Sequence, residues 1–214
     1  MSPEESGEWT VVVPPEPIAR GIGRAAVAAK GDVADEAAMA AVFDRAEAEF
    51  GGVDVIVHTA ARNVRSVLVD LDLAVLDSLY RTNIRGTFVV DQQAARRIRS
   101  GGAIINLSSS VLPAGLPTFG AYTASKGAVE ALTLILAREL NGRDVTVNAV
   151  APGQTATDTF LSLQSEAEIQ RGVDAIPLGR LAQPADIASV VAFLAGPDGH
   201  WINGQVIRAN GGFL

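Results

Sequence analysis

The sequence predicts an α/β fold of three layers, a doubly wound, mostly parallel sheet lying between helices. Three observations lead there. From Asp32 onward, stretches with helical periodicity alternate with short apolar runs, the order expected when helices cross over between parallel strands. Those runs are continuous rather than alternating, as in strands covered on both faces. The chain has 214 residues, 48% hydrophobic and 19% charged, which is enough to core one domain of ordinary globular make-up. Residues 1–214 are therefore read as one domain.

Taken in order, Val11 to Val13 reads as a first strand, and the Ala/Val run before Asp32 as a second. Met39, Val42, Phe43, Ala46 and Phe50 recur every three or four residues, marking a helix that stops at Gly51-Gly52. Val53 to His58 follows as a strand buried on both faces. Leu73 to Ala95 is helical, Ala103 to Leu107 a strand, Tyr122 to Leu140 a long helix and Val145 to Ala149 a strand. Pro184 suits the first turn of a helix reaching about Leu194, and Gly204 to Arg208 reads as the last strand. The expected sheet has about six strands.

Composition removes several classes of function. A net charge of −7 with scattered basic residues excludes a nucleic-acid footprint. The one basic stretch, Arg96-Arg97-Ile98-Arg99, reads as a solvated helix end, where cations suit the dipole. There is no cysteine, so disulfides, thiolate metal sites and cysteine nucleophiles are excluded. His58 and His200 are too few and too separated for a metal cluster, and no metal is expected. Met1 to Glu8 is acidic and precedes only a brief apolar run, unlike a secretion signal. No apolar run approaches the ~18 residues of a membrane helix. A cytoplasmic protein without a membrane partner is expected.

The chemistry concentrates in "NLSSSVLPAGLPTFGAYTASKGAVEAL". Tyr122 and Lys126 lie one helical turn apart and project from one face. An ammonium near a phenol favours phenolate and lowers its pKa from about 10, which makes Tyr122 a candidate general acid/base. Ser109, at the end of the preceding strand, can place a hydroxyl beside that phenol. A Tyr-x-x-x-Lys pair alone more commonly describes a buried tyrosine with a solvated lysine.

Together with "RTNIRGTF", "VNAVAPGQTATD", "IPLGRLAQPADIASVVAFLAG" and "INGQVIRANGG", this segment resembles the short-chain dehydrogenase/reductase family, in particular its 3-oxoacyl-ACP-reductase-like members. The likeness runs from about Asp32 to Gly212 with the motifs in order. It implies a Rossmann-like fold, an NAD or NADP cofactor and a small carbonyl or alcohol substrate. It also implies a homo-oligomer, tetramer or dimer, packed through the long helices and the C-terminal strand and helix. By the same resemblance Tyr122 exchanges a proton with the substrate oxygen, Ser109 orients that oxygen, and Lys126 holds the nicotinamide ribose. Asn83 anchors a proton-relaying water, or is a polar group capping a helix kink. Pro152, Gly153, Thr155 and Thr157 line the nicotinamide end. Asp32 and Val33 contact the adenine, unless Asp32 simply starts a helix.

Departures accompany the matches. Where the family has Asn-Asn-Ala-Gly, this chain has His58-Thr59-Ala60-Ala61. The methyl of Ala61 narrows the place where Ala60 and Ala61 would meet the cofactor. His58 is either a structural imidazole or a new functional group. Gly21, Ile22 and Gly23 end a phosphate-binding loop of the family type, but Glu16 and Pro17 stand where its threonine and first glycine belong. A helix from Arg24 to Lys30 would be only ~10 Å long, and a parallel βαβ unit takes ~30 residues or more. The N-terminal region is thus shortened across the first helix, second strand and following helix. Weak dinucleotide binding is expected, with the NAD/NADP preference unreadable. Two readings follow: an NAD(P)-dependent oxidoreductase, or a cofactor-deficient member of the fold acting as a binding or partner subunit or a non-redox acid/base catalyst.

Overall fold

The computed structural model describes residues 9–13, 27–162 and 164–214. Gly21, Ile22, Gly23, Glu16 and Pro17 lie outside those residues.

Helix α1 (Glu36–Phe50) shows how local signals become structure. The Asp35 side chain accepts the Ala38 N–H at 2.9 Å, capping the first turn. Gly51, left-handed with φ 78°, turns its N–H back to the Glu47 carbonyl and ends the helix. Met39 and Phe43, one turn apart, are the buried residues of the face between.

Four strands, β3 (Val53–His58), β4 (Ile98–Leu107), β5 (Thr146–Pro152) and β6 (Val206–Ala209), form a wholly parallel sheet in that order. The first crossover carries α2 (Leu73–Tyr80), a π-helical turn (Arg81–Arg85) and α3 (Gly86–Arg97). The second carries α4 (Val111–Ala114) and α5 (Gly120–Glu139). The third carries α6 (Asp158–Ser162), α7 (Glu166–Asp174) and α8 (Pro184–Ala195), with Pro184 in the first turn of α8 as expected.

Neighbouring residues of β4 point to opposite faces and so create the layers. Ile104 packs with Phe43 of α1, Ala94 of α3, Leu136 of α5 and Val147 of β5. Ile105 packs the other way, with Val150 of β5 and Leu194 of α8. Each such side chain removed from water is worth roughly 1.5–3 kcal/mol, and a slip of one residue would turn each set to the opposite face, against side chains it does not fit.

Two expectations are corrected. The six described strands occupy two sheets, not one: β1 (Trp9–Val13) pairs antiparallel with β2 (Val27–Gly31), Trp9 opposite Gly31 and Val13 opposite Val27. A parallel pair needs a crossover unit of ~30 residues or more, more than the chain supplies between Trp9 and Gly31; an antiparallel pair does not. Strand β3 is not buried on both faces, since Val55 and Val57 are 41% and 42% exposed. It is the outer strand of the parallel sheet, and α8 lies over β4, β5 and β6.

The basic stretch at the end of α3 is ion-paired: Arg97 with Asp44 and Glu47 of α1, Arg99 with Asp54 of β3. At its other end α3 begins with Gly86, where a Cβ would stand 2.7 Å from Cγ2 of the buried Val33. That close approach packs the π-helical turn against the residues leading into α1.

Candidate functional site

Strand β4 runs out into three serines whose side chains part company. Backbone pairing continues past the strand, Ser108 N–H to Val150 O at 2.7 Å and Ser110 N–H to Pro152 O at 2.9 Å. Alternation then sends the buried Ser108 and Ser110 away from Ser109. Ser108 Oγ donates to Glu130 Oε1 at 2.6 Å, and Ser110 Oγ donates to Ala151 O while accepting from Asn210 Nδ2. Asn210 thus acts as a donor here. Ser109 lines a cavity of about 550 Å³ at the carboxyl ends of β4 and β5.

Helix α5 brings the other side chains. Tyr122 lines the same cavity, its phenol near enough to Ser109 for that side chain to favour phenolate. Lys126, one turn on, is 4% exposed and donates from Nζ to Leu107 O at 2.7 Å. Its ammonium lies 5.7 Å from the Tyr122 ring centroid. The electrostatics correct one expectation. Burial pushes the Tyr122 phenol above its ordinary 10, and the neighbouring Ser109 side chain offsets this only in part. Lys126 is turned to the Leu107 carbonyl rather than to the phenolic oxygen. Burial also lowers Lys126 itself, to about 8.

Asn83 occupies the π-helical turn and is 1% exposed. Its Oδ1 accepts Arg62 N–H at 2.7 Å, and its Nδ2 donates to Arg62 O and Ser125 Oγ, each at 2.9 Å. Ser125 Oγ in turn donates to Tyr122 O at 2.7 Å. The side chain therefore ties the segment after β3 to the first turn of α5, and the Asn83 carbonyl accepts the Thr87 hydroxyl. π-Helical turns recur at functional sites because the wider turn re-aims such groups.

Pro152, Gly153, Thr155 and Thr157 share the cavity with Ser109 and Tyr122. Gly153 packs so closely on Asn210 that a Cβ would stand 2.8 Å from Asn210 Cα. Asp32, Val33, Ala60 and Ala61 do not line it. Asp32 accepts Ala34 N–H at 2.9 Å and pairs with Arg81; Val33 is 2% exposed and packs with Met39, Val89 and Val90.

Under the site lies a buried polar layer. Asn106 Nδ2 donates to Asp91 Oδ2 at 2.9 Å and to Thr133 Oγ1 at 3.2 Å. Asp91 Oδ1, Asn106 Oδ1 and His58 Nε2 have no partner among the described residues. Burial lifts Asp91 to about 7, against the Asn106 hydrogen bond. Burial, with the Lys126 charge adding to it, lowers His58 to about 4, so this imidazole is neutral at physiological pH.

Known proteins share this arrangement of elements. Residues 14–214 match the family described as enoyl-(acyl carrier protein) reductase. A short-chain type dehydrogenase/reductase of Picea abies is 43% identical over 196 residues, 90% of this chain and 72% of that protein. The chain belongs to the short-chain dehydrogenase/reductase family. The chloroplastic NADPH-dependent aldehyde reductase 2 of Arabidopsis thaliana is 40% identical over 193 residues, 88% of this chain and 71% of that protein. Among solved structures, a short-chain dehydrogenase of Burkholderia cenocepacia in complex with NADP superposes with a TM-score of 0.84 at 34% identity, over 91% of this chain and 79% of that one.

Within this short-chain dehydrogenase/reductase chain, sequence reasoning missed Asn63, Arg65, Phe119, Phe160, Arg171 and Phe213, all of which line the cavity. Phe119 had a signal in its position just before Tyr122. The others come from the segment after β3, from α6 and α7, and from the C-terminus; no spacing rule joins segments so far apart in the chain.

Proposed function

We propose that this chain is an NAD(P)-dependent oxidoreductase interconverting a carbonyl compound and its alcohol, carried by one domain. The observation that supports it best is the pair of Ser109 and Tyr122 side chains lining one cavity, with Lys126 buried one helical turn from Tyr122. In reduction Tyr122 gives its proton to the carbonyl oxygen; in oxidation it takes the proton back. Burial keeps the phenol protonated at neutral pH, the form a reductase needs. Ser109 holds the same oxygen, fixing the carbonyl carbon for attack. Asn83 keeps the segment after β3 in register with α5 and is the candidate anchor for a relaying water.

The dinucleotide, when bound, supplies or accepts the hydride at the carbonyl carbon. The described residues fit its nicotinamide end. An ammonium has three donors, of which Lys126 places one on Leu107 O, leaving the others for ribose hydroxyls; Pro152, Gly153, Thr155 and Thr157 line the cavity of Ser109 and Tyr122. Gly21, Ile22, Gly23, Asp32, Val33, Ala60 and Ala61 are proposed for the remainder, with Asp32 sharing its carboxylate with Arg81. NADP is the form present in the Burkholderia cenocepacia complex and in a complex of the angucycline C-6 ketoreductase LanV, and we take it as the preferred one. The reading without hydride transfer is not favoured, because the relatives are named as reductases and dehydrogenases.

A homo-oligomer belongs to the same proposal. An apolar groove of about 670 Å³ between α3 and α5, with Phe88 and Ile135 53% and 47% exposed, suits a second copy. A cytoplasmic location is part of it too. No helix among the described residues is long and apolar enough to cross a membrane.

The test is oxidation of NADPH and NADH with a panel of aldehydes and ketones. Tyr122→Phe is expected to lower kcat about 10²- to 10⁴-fold while calorimetry still detects dinucleotide binding. Turnover that survives Tyr122→Phe would remove the assigned acid/base.

A further inference from the structure

The cavity is of a size that takes small molecules, which commonly occupy roughly 300–1,000 Å³. Its floor carries the Ser109 and Tyr122 hydroxyls, and its wall carries Phe119, Phe160 and Phe213. Such a wall suits an aryl or short alkyl body. The charged groups lining it are two guanidiniums, Arg65 and Arg171, and one carboxylate, Glu168. That balance leaves a net positive charge in a chain whose own net charge is −7.

We propose that Arg65 and Arg171 recognise an anionic group, of the carboxylate type, on the far end of the carbonyl substrate. This deepens, and rests on, the oxidoreductase reading above. Neither arginine makes an ion pair within 4.0 Å among the described residues, unlike Arg81, Arg85, Arg97, Arg99 and Arg180. Glu168 attracts both, with its Oε2 engaged by Ser165. It accepts Ser165 N–H at 2.8 Å and Ser165 Oγ at 2.7 Å in the capping box of α7. Arg65 is held in place by the Phe119 ring, its Cζ 4.7 Å from the ring centroid. Phe119 in turn lies 6.5 Å from the Tyr122 ring, centroid to centroid. A guanidinium is thus stationed one aromatic ring away from the phenol, a span that an aryl spacer between carbonyl and anion can bridge. The planar fork of arginine matches a carboxylate with two parallel charge-assisted hydrogen bonds.

The experiment compares 4-formylbenzoate with 4-formylbenzamide, equal in shape and different in charge, alongside the 4-acetyl pair, with NADPH in excess. The expected result is a kcat/KM at least about tenfold higher for the benzoate, a preference that shrinks in high salt. Arg65→Gln with Arg171→Gln is expected to bring the ratio close to one by raising KM for the benzoate, and Arg171→Lys to keep part of it. Equal kcat/KM for the two aldehydes, or a preference that survives both substitutions, would overturn the proposal. Calorimetric titration of the same compounds reads the anion site without turnover. Preferential binding of 4-formylbenzoate that depends on both arginines, in a protein that oxidises no NADPH, would sink the oxidoreductase reading and leave this one standing. Equal binding of the two would do the reverse.

Discussion

Replacing Asp91 by asparagine should make the protein more stable above neutral pH. Asp91 is 2% exposed, and a carboxylate facing the Asn106 amide offers it one good hydrogen bond where two groups stand ready. The Asp91 and Asn106 Oδ1 atoms are both acceptors without a donor. Burial raises the carboxyl from its ordinary 3.8 to about 7. Between those values the folded chain holds a proton that the unfolded chain has released, so stability falls as pH rises through that window. At ~1.4 kcal/mol per pH unit the full loss is about 4 kcal/mol, an upper figure. His58 acts in the opposite sense. Lowered from 6.5 to about 4, it stays neutral in the fold while the unfolded chain gains a proton, and it costs about 3 kcal/mol as pH falls through that range. The two slopes nearly cancel between pH 4 and pH 6.5 in the wild type. Asparagine at position 91 supplies the missing donor to Asn106 and does not titrate. Urea unfolding in steps from about pH 4 to about pH 8 should show Asp91→Asn gaining on the wild type as pH rises, by as much as about 4 kcal/mol. The variant alone should show the His58 slope unmasked. A difference between the two proteins that stays constant with pH would refute the reasoning.

Gly86→Ala should cost about 1–3 kcal/mol through the contact forced on Val33, outweighing the ~1 kcal/mol that alanine adds in a helix; a thermal midpoint equal to or above the wild type would contradict it. Thr118, a β-branched residue at φ 70°, precedes the aromatic wall and accepts Ser66 N–H at 2.9 Å through its carbonyl. Thr118→Asn keeps that hydrogen bond, tolerates the left-handed backbone, and should raise stability by about 1 kcal/mol in the same melting assay; a fall would show that the threonine side chain matters more than its backbone strain.

Much of the fold from Asp32 onward was legible because each element announces itself twice. Helix α1 has both a 3.6-residue apolar period and a glycine stop, and the Val53–His58 strand has both an apolar run and flanking turn residues. The antiparallel pairing of β1 with β2 was hidden, since a short apolar run carries no mark of its partner's direction. In the site, the nearness of Ser109, Tyr122 and Lys126 followed from strand end and helix spacing. The phenol's electrostatics did not. Spacing puts Lys126 on the right face, but only the packed structure reveals that its amine reaches for Leu107 and that burial outweighs charge. Arg65 and Arg171 escaped notice for a related reason, because exposed arginines look alike until tertiary structure gathers two of them around one opening.

The serine triplet at the end of β4 has a consequence for how this protein tolerates change. All three residues carry the same hydroxyl, yet Ser108 and Ser110 are clamped by Glu130 and by Ala151 with Asn210, while the middle one faces the cavity. Deleting a single residue within the strand would still bring a serine, Ser110, to the cavity-facing place, but would put Val111 where Ala151 and Asn210 now bond a hydroxyl, so the damage would fall on the support beneath the site before it fell on the hydroxyl itself.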